Sequence, residues 1–310
     1  MFGLNIDPSA DRLDLAFDLV AVAEAAGLDI VAVQDHPYHR RHLDTWTLLT
    51  VLATRTARVH VMPNVANLPL RGPQVLAKSA ASLAYLTGGR IELGIGAGAQ
   101  WDAIAAYGGP RRGPGDAVDA LDEALDVIEA LWDGDRRSAT VEGRYYRLDG
   151  ARPGPVPNQP IPIWIGGYGP RMLRLVGRRA DGWTVSSSSA PPERILDMQR
   201  TVDEAAQEAG RDPAGVGRNY NLMGRLDPDA DRHEGERLSG PTDHWVDVLC
   251  RYAEELRFDT FLFWPLDGDE VDQARRFADD VVPRVCERLG DQHPCVDGSE
   301  AARERPGRYL

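Results

Sequence analysis

The chain has 310 residues, 35 of them basic and 48 acidic, for a formal charge of -13 at pH 7, and 43% are hydrophobic. That length supports a large core, and the acidic balance excludes a general nucleic-acid binder, which needs a basic face against phosphates. No apolar run approaches the ~20 residues of a membrane span, and no basic-then-apolar leader opens the chain, so a soluble cytoplasmic protein without a membrane partner is expected.

In chain order, short apolar runs alternate with segments of helical spacing. The runs are Phe2 to Ile6, Ile30 to Val33, Val59 to Met62, Ile91 to Ile95, Ile163 to Ile165, Trp183 to Val185, Tyr220 to Met223 and Phe261 to Trp264. This alternation predicts an α/β fold, a (β/α)8 TIM barrel. In the first helix Leu13, Phe17, Val20 and Ala21 share a face, and Gly27 ends it. A later helix opens at Pro73 and stops at Gly88-Gly89. Between Asp116 and Trp132 the apolar set Val118, Leu121, Leu125, Ile128 and Trp132 leaves five acids, Asp119 to Glu129, as a solvated face. Residues 136–160 break the alternation with a hairpin near Gly143 and a proline-rich connector, read as an insertion between strands four and five of a single domain over residues 1–288. Residues 289–310 read as a polar C-terminal tail. The three cysteines, Cys250, Cys286 and Cys295, are too scattered for a disulfide framework or a zinc knuckle and suggest a reducing compartment.

Chemistry concentrates where strands end. Asp35-His36 follows the second strand, on the catalytic rim of a barrel, where a histidine exchanges protons near neutral pH and an adjacent carboxylate favours its charged form. His36, His39 and His42 recur every third residue, but that spacing alone does not make a metal site, and none is assigned. Asn64 and Asn67 follow the third strand and either face a ligand or belong to an ordinary loop. Gly94, Gly96 and Gly98 lack the spacing of a dinucleotide fingerprint and suggest close approach of a flat ligand to bare backbone. Gly166-Gly167-Tyr168-Gly169-Pro170-Arg171 opens a helix with arginines at 171, 174, 178 and 179, a local cradle for an anion with Arg171 foremost. Ser186 to Ser189 form either a flexible loop or a set of hydroxyl donors. Trp46, Trp101, Trp183 and Trp264 lie at or beyond strand ends and are candidate walls of a flat apolar pocket.

Taken together, Asp35-His36, Asn64-Val65, the run from Leu86 to Gly98 and the run from Ile163 to Arg171 followed by Ala180-Asp-Gly-Trp183 resemble the luciferase-like flavin-dependent oxidoreductases. The resemblance implies a barrel with an insertion that binds coenzyme F420, or alternatively FMN, at its C-terminal mouth, and a homodimer. It implies catalytic His36 with Asp35, and a cofactor site drawn from Asn64, Val65, Asn67, Gly96, Gly98, Gly166, Gly167, Tyr168 and Arg171. A non-prolyl cis peptide of the F420 branch matches the Asn64-Val65 bond. The implied reaction is hydride transfer to or from a small organic substrate. The FMN alternative is a monooxygenase served by a partner flavin reductase, and the rivals outside the family are a metal-dependent hydrolase and a non-catalytic flavin-binding barrel. Ala99 stands where some sugar-phosphate dehydrogenases of the F420 branch carry glutamate, so a less polar substrate walled by Trp101, Trp183 and Trp264 is expected.

Overall fold

Strands buried on both faces need apolar side chains throughout, and the short apolar runs supply them. In the computed structural model, which describes residues 1–290, β1 (Phe2–Ile6), β2 (Ile30–Val33), β3 (His60–Pro63), its short continuation β4 (Ala66–Asn67) and β5 (Leu93–Gly96) form the first half of a parallel sheet. An antiparallel hairpin, β6 (Ala139–Glu142) and β7 (Arg147–Ala151), pairs apart from that sheet. The second half comprises β8 (Ile163–Gly166), β9 (Gly182–Ser186), β10 (Gly217–Leu226), β11 (Arg237–Gly240), which lies off the main strand path beside β10, and β12 (Thr260–Pro265). The sheet runs β3-β2-β1-β12-β10-β9-β8-β5-β4. Its ends meet where the Val61 amide donates to Arg90 O at 3.2 Å and the Glu92 amide donates to Val61 O at 3.0 Å, which closes a TIM barrel.

Outside the strands lie α1 (Leu13–Ala26), α2 (Thr45–Thr54), α3 (Pro73–Thr87), α4 (Trp101–Ala106), α5 (Pro114–Trp132), α6 (Pro170–Arg179), α7 (Pro192–Glu208), α8 (Thr242–Glu254), α9 (Glu270–Arg276) and α10 (Val282–Leu289). The main core fills the layer between helices and barrel, and a second cluster of Ile30, Ala32, Met62, Trp164 and Leu262 packs together separately. There the Trp164 indole N–H donates to the buried Glu92 carboxylate.

The caps read from sequence are in place. Gly27 and Gly88 adopt φ of +83° and +69° at the C-termini of α1 and α3, and Pro73 opens α3. The buried face of α1 is rotated from the sequence reading: Ala16, Leu19, Val20 and Ala23 are buried while Ala21 is exposed. Phe17 instead lies under the Arg55 guanidinium, 3.8 Å from its ring centroid, a cation-π contact that a periodicity argument does not see.

The acidic face of α5 is not simply solvated. Arg171 pairs with Asp119 at 2.6 Å, Arg178 with Asp122 at 3.2 Å, and Arg179 with Asp122, Asp126 and Glu129 at 2.9, 2.8 and 3.1 Å. Four acids of α5 and three arginines of α6 thus pair across the helix interface, while Glu123 accepts the hairpin amides of residues 144–146 and Arg174 pairs with Glu208 of α7. Residues 291–310, with most of the polar tail and Cys295, lie outside the described residues. Cys250 is a free, buried thiol on α8. Among the described residues no helix is long and apolar enough to cross a membrane.

Candidate active site

The C-terminal ends of the strands enclose a cavity of about 460 Å³. Its lining brings together Asp35 and His36 after β2, Asn64 and Val65 between β3 and β4, Asn67 on β4, and Gly96 and Gly98 at and just past the end of β5. Trp101 on α4 adds one wall, and Gly166 at the end of β8 with Gly167 and Tyr168 after it add another. The cavity therefore sits at the catalytic face of the barrel. Ala117 and Val118 from α5 and Met172 from α6 complete it with apolar surface, and Ser186 and Ser189 contribute hydroxyls. Ser187 is turned away, donating to Glu236 O at 2.8 Å. Among the described residues the lining contains no Lys or Arg.

The Asn64–Val65 peptide bond is cis. The Val65 side chain enters the space that side chains at the neighbouring glycines would occupy. A Cβ on Gly96 would stand 2.6 Å from Val65 Cγ2, and one on Gly166 3.0 and 3.1 Å from the two Val65 methyl carbons. A Cβ on Gly94 would fall on the Pro63 carbonyl oxygen. Gly94 is absent from the lining and makes room for the chain's own bulge, whereas Gly96 and Gly166 accommodate Val65 and also line the cavity, as does Gly98. Gly94→Ala, which collides with backbone, is expected to cost about 1–3 kcal/mol at the upper end of overpacking effects, whereas Gly169→Ala, which meets nothing within 4 Å, serves as a neutral control in urea unfolding.

Asn64 is held from below by polar side chains that point into the barrel. Its amide donates to Asn221 Oδ1 at 2.7 Å and Asn5 Oδ1 at 3.1 Å, and its oxygen accepts from Thr184 Oγ1 at 3.2 Å. Asn219 Nδ2 donates to the same Thr184 hydroxyl at 2.7 Å and to Asn221 Oδ1 at 3.1 Å. Sequence reasoning missed Asn5, Thr184, Asn219 and Asn221, although asparagines inside otherwise apolar strands are a readable signal of an inward polar network.

Asp35 does not pair with His36 through a hydrogen bond. Its buried carboxylate accepts from Arg71 Nε at 2.7 Å, Arg71 Nη2 at 3.0 Å and the Asn67 backbone amide at 2.9 Å. Arg71 also bonds Asp44, the N-cap of α2, so one guanidinium ties the end of β2, the bulge and α2 together. Asp35 is thus an anchor of the bulge. Arg71 was not anticipated; a lone arginine just after the bulge, in Leu70-Arg71-Gly72, was its only trace.

His36 is half-buried, and its Nδ1 lies 2.8 Å from Tyr38 Oη. Burial lowers its pKa below the ordinary 6.5, with the Asp35 charge opposing and His39 reinforcing. His36 is therefore neutral at pH 7. If neutral imidazole is the working form, activity persists as pH falls to 6.5 and its acid limb lies below that value; a pH profile of kcat/KM with the limb above 6.5 contradicts this. His39 and His42 stack on each other with ring centroids 4.0 Å apart, and among the described residues no group of three or more His, Cys, Asp or Glu side chains is placed to hold a metal.

Four assignments from sequence change. Trp183 is completely buried and stacks on Phe258, with ring centroids 6.2 Å apart, while its indole N–H donates to Gly167 O at 2.7 Å; it supports the glycine turn from behind and does not wall the pocket. Trp264 is half-buried at the end of β12 and does not line the cavity, and Trp46 is in the core. Arg171 is engaged with Asp119 and is also absent from the lining. Only Trp101 of the four tryptophans faces the cavity.

The cavity fits a flavin-type ring on one further observation. Asn67 Oδ1 is buried without a partner and is an acceptor of the kind that a ring N–H needs.

The luciferase-like monooxygenase family profile matches residues 2–281, and the chain belongs to that family. An F420-dependent glucose-6-phosphate dehydrogenase of Gordonia bronchialis is 32% identical over 236 residues, covering 73% of this chain and 69% of the relative. The enzyme of that name from Mycobacterium tuberculosis H37Rv is 29% identical over 300 residues, 94% of this chain and 83% of the relative. Among solved structures, an F420-dependent secondary alcohol dehydrogenase in complex with an F420-acetone adduct superposes with a TM-score of 0.84 at 21% identity, covering 92% of this chain and 99% of the other. A monooxygenase from Streptomyces bottropensis gives 0.75 at 19% identity, covering 92% and 99%. At those identities the structural likeness speaks for the fold.

Proposed function

We propose that this chain is an F420-dependent oxidoreductase that moves a hydride between the coenzyme and a small, non-phosphorylated alcohol or carbonyl compound. The observation that carries this reading is the cavity itself, with the Asn64–Val65 bulge in its wall, His36 at its rim and no Lys or Arg in its lining among the described residues. Val65, Asn67 and the turn from Gly166 to Gly169 would hold the coenzyme. When bound, the deazaflavin supplies the hydride acceptor or donor. His36 takes the hydroxyl proton as an alcohol is oxidised and returns it in the reverse direction. Apolar Trp101, Val118 and Met172 exclude water from that step.

The sugar-phosphate activity in the relatives' names is not carried over. A phosphate dianion in this lining would meet no Lys or Arg among the described residues, and burying it unpaired is costly. Anaerobic incubation with oxidised F420 and a panel of simple secondary alcohols, with glucose 6-phosphate beside them, tests the substrate class. Loss of the oxidised deazaflavin absorbance with the alcohols alone is the expected result; reduction by the phosphorylated sugar alone would contradict it. Exposed Val51 on α2 and Val75, Tyr85 and Leu86 on α3 support a second copy of the chain as a further partner.

A further inference from the structure

The hydroxyl of Tyr38 has no place in the family motifs that brought His36 into view, yet it is the group bonded to His36. We propose that Tyr38 positions His36 in the Nδ1–H tautomer and forms the outlet of a two-residue proton path from the cavity. The inference rests on the F420 reading for the identity of the hydride acceptor, but not for the pairing itself.

Tyr38 Oη lies 2.8 Å from His36 Nδ1, within normal hydrogen-bond distance, and both residues line the cavity. A neutral imidazole has one N–H and one acceptor nitrogen, and the bond made by one nitrogen decides the state of the other. If Nδ1 donates to Tyr38 Oη, then Nε2 is a lone-pair base available to substrate. Tyr38 accepts through its oxygen while its own proton is free to bond water, and the half-exposed setting of Tyr38 permits this.

During oxidation of an alcohol the O–H bond breaks and its proton joins His36 Nε2. The Nδ1 proton passes to Tyr38 Oη as the former phenolic proton leaves to water. The two electrons of the adjacent C–H bond leave as hydride to the oxidised coenzyme named above, so the carbonyl forms with one proton released. Each group ends in its starting composition, with the imidazole in the other tautomer; after the product leaves, the Nε2 proton is lost to solvent and Nδ1 is reprotonated from water through Tyr38, so one proton is released per turnover. Among the described residues, the other titratable groups facing His36 are Asp35, held by Arg71, and the His39 and His42 rings. None of these makes a hydrogen bond to His36, so the tautomer is left to Tyr38. Burial lowers the His36 pKa and raises that of Tyr38, consistent with an uncharged pair at rest.

The test is long-range nitrogen NMR of the imidazoles in the apoprotein, wild type and Tyr38→Phe, with His36→Asn to assign the signal. Wild-type His36 in the Nδ1–H form, reverting to Nε2–H in Tyr38→Phe, is the expected result. In turnover Tyr38→Phe should lower kcat about tenfold or more, as when a base is left in the wrong tautomer, with KM and coenzyme affinity nearly unchanged and the acid limb of the pH profile displaced. Wild-type His36 in the Nε2–H form overturns the proposal without recourse to any variant. So does a tautomer and titration midpoint unchanged by Tyr38→Phe. Because the NMR needs no coenzyme, failure of the F420 reading would leave this result readable.

Discussion

Replacing His36 by asparagine is expected to lower kcat by about 10²–10⁴-fold while coenzyme affinity stays within a few-fold, the range associated with loss of a positioned acid or base. Asparagine is polar and of similar reach but cannot change its charge state near neutral pH. The change therefore isolates proton exchange from the shape of the rim. The bulge is anchored by Asp35, Arg71 and the asparagine network, none of which hydrogen-bonds His36, so the cavity should keep its form. Single-turnover absorbance and equilibrium quenching of tryptophan fluorescence measure the two quantities separately. Equal turnover in the variant would show that His36 is not the group that exchanges the proton, and absence of turnover in both proteins despite coenzyme binding would favour a non-catalytic flavin-binding barrel. A parallel loss of bound metal would favour the hydrolase reading.

Arg71→Ala should destabilise the protein by about 3–5 kcal/mol, the cost of breaking a buried ion pair from one side. The Asp35 side chain is 1% exposed and that of Arg71 18%, so solvent cannot replace the missing guanidinium readily. What remains to Asp35 is the Asn67 amide. The loss should appear as a thermal midpoint lower by on the order of 10 °C, together with weaker coenzyme binding because Asn67 and the bulge lose their anchor. Arg71→Lys keeps a charge without the fork that spans both Asp35 oxygens, and an intermediate value is expected. A midpoint within about 2 °C of wild type in Arg71→Ala would mean that water or a shifted side chain satisfies Asp35.

The barrel was legible because parallel strands buried on both sides announce themselves as apolar runs, and because Gly27, Gly88 and Pro73 mark helix ends by local backbone preference. The bulge and the Asp35-His36 rim were legible as motifs at strand ends. Other features depend on which elements become neighbours. The acids of α5 and the arginines of α6 each looked solvent-facing or ligand-facing in isolation, and only the packing of those helices pairs them. A missing Cβ does not say what fills its place: Gly94 read as room for a ligand, but the Pro63 carbonyl and Val65 lie where its Cβ would be. Trp183 had the right strand-end position, but its indole turns into the core toward Gly167. Arg71 and Tyr38 act through partners thirty-six and two residues away in sequence, and neither pairing leaves a pattern that spacing can reveal.

The most direct test of the account is titration of the purified apoprotein with F420 and, separately, with FMN in oxidised and reduced forms, followed by tryptophan quenching. Trp101 lies in the cavity lining and supplies a reporter. Selective, saturable binding of F420 is the predicted result. Selective binding of reduced FMN would contradict it and point to a monooxygenase fed by a reductase, and binding of neither would contradict the flavin reading altogether.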